Sequence, residues 1–280
     1  ILIVLTLSLG VVLVEKALAQ NPTSGGTLTI TLSAEPPGLD PTTSPAATIK
    51  RVVHYNLFEG LLKVDRTGKV VPALAKSYTV SKDGREYTFT LHSGVKFHDG
   101  KPCSSEDVKF SLERILDPKT AAPYRMYYEG IEAIQVVDPL IVKIRLKKYD
   151  SAFLFNMARG DAVIVPRQAV DKLKSQPIGT GPFKLVDWKR GDSIVLVKNP
   201  NYYLKGVPYL DKVVFKFIPD PSSQLAALKA GDVDVIAYDM ALGRLLPRPS
   251  TGKPSSRGRC PVSEPRSEAI WIRRILTLSI

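Results

Sequence analysis

Few side chains in this sequence have the type and spacing that catalysis needs. His98 precedes Asp99, and such a pair could transfer a proton or bind a metal ion. The pattern of Phe97–Gly100, however, is typical of a strand that ends in an Asp-Gly turn, which explains both residues without chemistry. With three histidines and two cysteines in 280 residues, the chain has little material for a metal site, and we predict none.

The carboxylate pairs and the cysteines have similar structural explanations. Glu106 and Asp107 fall in the first turn of a predicted helix, where negative charge opposes the helix dipole. Cys103 lies beside the same helix N-terminus, a position that can lower a thiol pKa, but no histidine accompanies it in the sequence. A disulfide between Cys103 and Cys260 would require the C-terminal segment to be genuine. We therefore predict no catalytic residues.

Gly179-Thr180-Gly181 begins like the phosphate-binding loop of a dinucleotide-binding protein. Pro182 follows directly and Lys184 replaces the last glycine of that motif, and the proline blocks the helix that phosphate binding requires. The sequence also lacks Gly-x-Ser-x-Gly, Walker A and His-Glu-x-x-His motifs. These observations predict a protein that is not an enzyme and has no cofactor. An exported hydrolase stays open as an alternative.

The net charge of +12 is unevenly distributed. Residues 1–240 contain 31 basic and 25 acidic residues, whereas residues 241–280 contain 8 basic and 2 acidic residues. The segment 239–280 is rich in Arg, Pro and Ser, and we interpret it as an anomalous basic tail. It is either a disordered arm that binds nucleic acid or an anionic surface, or the product of a frameshift. Because the body is only mildly basic, we expect no nucleic-acid partner.

Residues 1–19 have the pattern of a partial secretory signal peptide. An apolar run covers residues 1–14, and Ala17-Leu18-Ala19 fits a small-x-small cleavage site. The run is shorter than the ~20 residues of a membrane-spanning helix. A buried core helix is the alternative. We expect an exported protein that is located in the periplasm.

Hydrophobic periodicity predicts a mixture of strands and helices. Alternation and turn signals predict strands at 26–32, 77–81, 85–91, 183–188, 193–198, 213–218 and 233–236, with a further hairpin over 131–146. Helical spacing of apolar residues predicts helices at 48–62, 104–116 and 222–230. Residues 33–45 contain four prolines and are predicted to form a loop. This mixture indicates an α/β protein that is rich in antiparallel hairpins.

Four blocks of residues in this order carry a resemblance to a known family. They include Tyr55-Asn56-Leu57-Phe58-Glu59-Gly60-Leu61-Leu62 with 72–78, the long stretch 87–112, Gly179-Thr180-Gly181-Pro182-Phe183, and 199–203 with 210–213 and 228–234. Together they resemble the periplasmic solute-binding proteins of the peptide/nickel ABC importer family, the bacterial extracellular solute-binding proteins of family 5. The resemblance runs from about residue 26 to residue 238.

The resemblance implies a periplasmic-binding-protein-like α/β fold of type II, in the large cluster that carries an extra domain. It implies a discontinuous first lobe (26–60 and 177–238) and an inserted extra domain (61–176). Full-length members are much longer, so most of the second lobe is expected to be missing. We also expect this exact chain to be an incomplete fragment that folds poorly, because open sheet edges and apolar surface would be exposed.

The resemblance also implies what the protein binds and where. It implies capture of peptides or similar small polar solutes between two lobes, followed by delivery to the permease subunits of an ABC importer. The protein would be a monomer that meets the membrane only through that permease. The residues expected to face the ligand are Ser44, Pro45, Ala46, Ala47 and Thr48, with Thr180 and Gly181 near the hinge.

Overall fold

The computed structural model describes residues 23–237, so the predicted signal peptide, the basic tail and Cys260 lie outside the described residues. The α-helices of the described part are α1 (Ala47–Val53), α2 (Ser105–Leu116), α3 (Phe153–Met157) and α4 (Pro221–Ala230). Three short 3-10 turns cover Pro118–Thr120, Arg125–Tyr127 and Arg167–Lys172. None of the helices described has the length and apolar character of a membrane span.

A five-stranded sheet joins the two ends of the described chain. Its strands are β1 (Thr27–Leu32), β8 (Phe183–Lys189), β9 (Ser193–Lys198), β10 (Lys212–Phe217) and β11 (Val235–Ile236). The strand order is β11-β1-β10-β9-β8, with β1 parallel to both of its neighbours and the β8-β9-β10 side antiparallel. Alternate residues of β9 and β10, such as Ile194 and Phe215, are buried, as the period-2 pattern predicts.

Helix α4 crosses from β10 to the parallel edge strand β11. It begins one residue before the predicted Ser222, because the Asp220 carboxylate accepts the N–H of Ser223 at 2.6 Å and Pro221 starts the first turn. It ends at Ala230, and the C-cap Gly231 has a φ of 82°, the left-handed conformation of a C-terminal stop. The predicted helix and its glycine terminator are confirmed.

Helix α1 is shorter than the predicted helix 48–62. The amide of Asn56 donates to the carbonyl of Val52 at 3.0 Å, and the N–H groups of Leu57 and Phe58 both reach the carbonyl of Val53. Tyr55 adopts a left-handed φ of 61°, which reverses the chain. The apolar spacing that suggested a longer helix instead supplies buried side chains, because Leu57 and Phe58 are fully enclosed.

A second, four-stranded antiparallel sheet lies in the middle of the chain. Its strands are β4 (Ala75–Val80), β5 (Glu86–Leu91), β6 (Ile131–Asp138) and β7 (Ile141–Leu146), in the order β4-β5-β7-β6. The predicted Asp-Gly turn is present, with Gly84 at a φ of 68°. A short ribbon of β2 (Leu62–Val64) and β3 (Val70–Pro72) precedes this sheet.

Helix α2 covers the four-stranded sheet with its apolar face. The carboxylate of Asp107 reaches back to the N–H of Ser104 at 2.9 Å, which makes Asp107 part of an N-terminal capping box, as its position in the sequence indicates. Val108, Leu112 and Ile115 are buried in the same hydrophobic cluster as the inward residues of the sheet. The helix ends at Leu116, and its C-cap Asp117 is the residue before Pro118.

The segment 162–165 separates two hydrophobic cores. Ala162 and Ile164 pack into the core of the four-stranded sheet, whereas Val163 and Val165 pack into the core of the five-stranded sheet. This alternation is that of an extended chain whose successive side chains point to opposite sides. The N–H of Ile164 donates to the carbonyl of Glu59 at 2.9 Å, and so the segment is fastened to the chain that leaves α1. The division into a lobe and an inserted domain at residues 60/61 and 176/177 stays a prediction.

Two glycines lie flat against the backbone of Asn56-Leu57. The N–H of Gly181 donates to the carbonyl of Leu57 at 3.0 Å. A Cβ added to Gly179 would stand 1.9 Å from the Leu57 carbonyl oxygen, and one on Gly181 would stand 2.4 Å from that of Asn56. The Gly-Thr-Gly motif therefore provides close backbone contact at the start of β8.

Replacing Gly179 by alanine should destabilise the protein by about 3 kcal/mol or more, because the clash is with backbone that is already packed on both sides. Urea unfolding followed by circular dichroism measures this effect. The matched control is Gly130→Ala, since a Cβ there would meet no atom within 4 Å. Equal stability of the Gly179→Ala and Gly130→Ala proteins would contradict this packing.

Candidate ligand-binding site

The predicted ligand-facing residues 44–48 lie where the proline-rich loop enters α1. Pro45 and Ala47 are exposed, and Ser44, Ala46 and Thr48 are half-buried. The hydroxyl of Ser44 accepts the N–H of Ala46 at 3.3 Å, a local bond that shapes the turn before the helix. The structure thus leaves this segment accessible to a solute. Its role in binding stays a prediction.

The same loop is held at its base by a buried ion pair. Arg114 of α2 donates to the Asp40 carboxylate at 2.7 Å, and the Asp40 side chain is 2% exposed. The second carboxylate oxygen accepts the N–H of Thr42 at 2.9 Å. Asp40 therefore ties the loop to a helix that packs on the other sheet.

A second anchor holds the beginning of the loop. The Glu35 carboxylate accepts the indole N–H of Trp188 at 2.8 Å and the backbone N–H of Gly191 at 3.0 Å. Arg190 stacks on the Trp188 ring with its guanidinium carbon 3.5 Å from the ring centroid, and it also pairs with Glu35. The β8-β9 turn thus fixes the loop between β1 and α1.

Thr180 and Gly181 occupy a different environment from residues 44–48. Thr180 is 1% exposed and donates its hydroxyl proton to Glu59 at 3.0 Å, and Gly181 is buried against Asn56. Within residues 23–237, no hydrogen bond or ion pair joins these two residues to the 44–48 segment. Their contacts are those of packing residues, and a role for them near the hinge stays a prediction.

Glu59 is a buried acid that the sequence reasoning did not single out. Its carboxylate accepts hydrogen bonds from Thr180, from Tyr202 at 2.8 Å and from Tyr203 at 3.1 Å. Burial raises its pKa from 4.5 to about 7, although the three hydrogen bonds act in the opposite direction. The signal available in the sequence was an acidic residue inside the apolar run Leu57–Leu62.

The hydrogen bond that Tyr203 donates depends on whether Glu59 is protonated. The Tyr203 oxygen lies 3.1 Å from a Glu59 oxygen and 3.2 Å from the Ala73 carbonyl, but it carries one proton. A protonated Glu59 donates to a tyrosine oxygen, which leaves the Tyr203 proton for Ala73. An ionised Glu59 competes with Ala73 for that proton. The two acceptors around the Tyr203 hydroxyl are both satisfied when Glu59 is protonated, which agrees with the raised pKa of Glu59.

The thiol and the imidazole considered for chemistry both serve packing. Burial raises the pKa of Cys103 well above its ordinary value, and this effect outweighs any lowering by the neighbouring helix N-terminus. His98 accepts the N–H of Gly179 at Nδ1, and its Nε2 lies 3.1 Å from the Gly181 carbonyl. Burial lowers the His98 pKa to about 4, so the ring is neutral at pH 7. Among residues 23–237, no three His, Cys, Asp or Glu side chains form a group that could hold a metal ion.

Comparison with known proteins identifies the family. The sequence model of the Bacterial extracellular solute-binding proteins, family 5 Middle, matches residues 69–247. The chain belongs to this family. The description of this family names proteins that bind solutes outside the cytoplasm. The predicted resemblance is confirmed.

Related proteins support the same assignment. The glutathione-binding protein GsiB of Salmonella paratyphi A is 34% identical over 201 residues, which are 69% of this chain and 39% of the relative. The solved structure of AgaA from A. tumefaciens R10 in complex with agropinic acid is 42% identical, with a TM-score of 0.72 over 76% of this chain and 44% of that chain. NikZ of Campylobacter jejuni, in complex with Ni(L-His), is 33% identical, with a TM-score of 0.69 over 78% and 44% of the two chains.

These comparisons also confirm the predicted fold class. The mixed α/β arrangement matches periplasmic binding proteins over most of the chain, while only part of each full-length structure is covered. The chain spans about two fifths of the length of the curated relatives it matches.

The Glu59→Gln substitution should remove one component of the pH dependence of stability. Because folding raises the Glu59 pKa from 4.5 to about 7, the folded state holds this proton more tightly, and the free energy of unfolding falls as pH rises through that range, by about 3 kcal/mol. The difference between wild type and Glu59→Gln should follow this fall in urea titrations at pH 4.5–8. Glu113→Gln, an exposed change of equal charge, is the control. A pH-independent difference would contradict a raised pKa.

Breaking the Asp40–Arg114 pair should loosen the loop that carries residues 44–48. Arg114→Met leaves a buried carboxylate without its cation and should cost about 3 kcal/mol, whereas the surface control Arg145→Met should cost less than about 1 kcal/mol. The double change Asp40→Asn with Arg114→Met should recover part of the loss. Hydrogen exchange at residues 39–48 measures the loosening, and unchanged exchange in Arg114→Met would contradict the anchor.

Proposed function

We propose that this chain is the solute-capturing part of a substrate-binding protein of an ABC importer. It binds peptides or similar small polar solutes and delivers them to the permease subunits in the membrane. The observation that carries the proposal is the match of residues 69–247 to the family of extracellular solute-binding proteins. No bond in the solute is made or broken, and capture depends on closure about a hinge.

The accessible loop before α1 supports this function. Residues 44–48 present backbone and small side chains at the surface, and the anchors at Glu35 and Asp40 hold them in a fixed shape. Small residues allow a solute to approach the main chain closely, and a fixed loop avoids the entropy cost of ordering on binding. The side chains first considered for chemistry have other environments: the His98 ring is hydrogen-bonded to the backbone of Gly179, and the Cys103 thiol is buried.

Location and assembly follow from the same proposal. The protein is exported by the signal peptide at residues 1–19 and acts in the periplasm as a monomer, in contact with the membrane only through the permease. Residues 26–60 and 177–238 form the first lobe, and residues 61–176 form the extra domain. The relatives named above bind glutathione, agropinic acid or Ni(L-His), which supports a small polar molecule as the solute of this chain.

Calorimetric titration of the 280-residue chain with Ala-Gln, glutathione and Ni(L-His) tests the proposal. At least one solute should bind, and Ala47→Trp should weaken its binding about tenfold or more, because the indole would fill the space above the loop. Ala226→Trp, an exposed helical alanine on α4, is the matched control. Because the isolated chain is expected to fold poorly, size-exclusion chromatography first separates the folded, monomeric fraction, and the titration uses that fraction. Failure of every solute to bind a folded, monomeric sample would overturn the proposed function.

A further inference from the structure

The carboxyl group of Glu59 joins segments that are far apart in the chain. Its oxygens accept Thr180 Oγ1 at 3.0 Å, Tyr202 Oη at 2.8 Å and Tyr203 Oη at 3.1 Å. Thr180 precedes β8 and the two tyrosines follow β9, whereas Glu59 itself precedes the ribbon of β2 and β3. The cluster therefore lies where the chain passes from one hydrophobic core to the other.

Tyr203 extends this cluster to the segment between β3 and β4. Its hydroxyl lies 3.2 Å from the carbonyl oxygen of Ala73, two residues before β4 begins. Within residues 23–237, this contact is the one hydrogen bond between residues 199–203 and residues 61–176. The hydrogen-bonded attachment of these two parts thus depends on the direction in which the Tyr203 proton points.

Two discrete arrangements of protons are available to this cluster. When Glu59 is protonated, its O–H donates to a tyrosine oxygen, and the Tyr203 hydroxyl donates to Ala73. When Glu59 is ionised, it has no proton to donate. A carboxylate is also a stronger acceptor than a peptide carbonyl, so it draws the Tyr203 proton away from Ala73. The loss of one proton from Glu59 therefore removes the hydrogen bond to Ala73.

Glu59 changes its charge near neutral pH, whereas the hydroxyl and thiol groups around it do not. Burial raises the Glu59 pKa to about 7. Tyr202 and Tyr203 stay neutral, because burial and the Glu59 carboxylate raise their pKa values. Burial likewise raises the pKa of Cys103, which stays a thiol.

Two basic side chains complete the surroundings of the cluster. The His92 ring centroid lies 5.1 Å from that of Tyr203, and burial and Lys76 lower the His92 pKa, so this ring is neutral at pH 7. Lys63 on β2 is the cation that acts on Glu59, and its attraction favours the carboxylate. Above about pH 6, the proton that moves is therefore that of Glu59.

We propose that Glu59 and Tyr203 form a proton-controlled latch, in which acidity decides whether the segment after β9 is hydrogen-bonded to the segment before β4. The latch is closed when Glu59 is protonated and open when Glu59 is ionised. The attachment of the four-stranded sheet to the rest of the fold then responds to the pH of the surroundings. This inference goes beyond the proposed function, and it does not depend on which solute the protein binds.

An open latch leaves a buried carbonyl group without its partner. Ala73 is 8% exposed, and a buried acceptor that loses its hydrogen bond destabilises the segment that carries it. The N–H groups of Ala73, Leu74 and Ala75 all donate to carbonyls of residues 60 and 61. Exchange of these three amide hydrogens with solvent therefore measures how easily the segment opens.

Hydrogen exchange of the folded, monomeric fraction of the 280-residue chain at pH 5.5, 7.0 and 8.5 tests the latch. The rates are corrected for the intrinsic pH dependence of exchange. The rate at residues 73–75 is then divided by the rate at residues 193–198, because this ratio removes changes in global stability. We expect the ratio to rise about fivefold from pH 5.5 to pH 8.5, the size of one lost hydrogen bond. In Glu59→Gln, whose side chain is neutral at every pH, the ratio should be constant.

Two phenylalanine variants separate the latch from a purely structural role of the tyrosines. Tyr203→Phe keeps the buried ring but removes the hydroxyl, and should give the high ratio at every pH. Tyr202→Phe is the matched control, since it removes a hydroxyl from Glu59 but none from Ala73. The rise should persist in Tyr202→Phe with its midpoint at higher pH, because Glu59 loses a hydrogen bond that favours its ionised form.

Three results would overturn the latch. The first is a ratio that stays constant with pH in the wild-type protein. The second is an equal rise in the wild type and in Glu59→Gln, because the responsible proton would then belong to another group. The third is a rise in Tyr203→Phe that equals the wild-type rise, because the hydroxyl would then have no part in it.

Discussion

The junction of residues 59–60 with 162–165 is the constraint on which the rest of the structure depends. A single extended segment has a hydrophobic core on each side, so neither sheet can move without the other. Gly60 is required at this junction, because a Cβ there would stand 2.9 Å from the Ala162 carbonyl oxygen. The close contact of these two segments excludes water and buries Glu59. A buried carboxyl group needs hydrogen-bond partners, and three hydroxyl groups provide them here.

The elements of this fold were largely predictable because their signals are local. Asp83-Gly84, the capping residues of α2 and the glycine after α4 each determine a turn or a helix end through contacts within a few residues. The early end of α1 was not predictable, since it depends on how residues 55–58 meet Gly179 and Gly181 far along the chain. Asp220, and not Ser222, caps the N-terminus of α4. Both residue types are good N-caps, and the sequence alone does not rank them.

The position of the candidate site was predicted through resemblance to a family, and the binding role of residues 44–48 stays a prediction. Small residues in a proline-rich loop have no chemical signature of their own, so their types alone do not indicate what they contact. The charged groups around them come from distant parts of the chain: Arg114 from α2, and Arg159 and Asp161 from the segment after α3. Sequence spacing reveals ligands on one helix or in one loop. The partners of the Asp40–Arg114 and Lys50–Asp161 ion pairs, in contrast, are 74 and 111 residues apart.

The pairing of β1 with β10 has a consequence for the order of folding. Thr27 pairs with Lys212, so the first strand has no neighbour in its sheet until nearly the whole described chain is available. The strands of the hairpins β4-β5 and β6-β7 are joined by short loops, so they can pair without the rest of the chain. Contacts between distant residues form slowly because loop closure must come first. Loop closure therefore favours early pairing of the hairpins in the middle of this chain, and β1 is the strand expected to stay unpaired for the longest time.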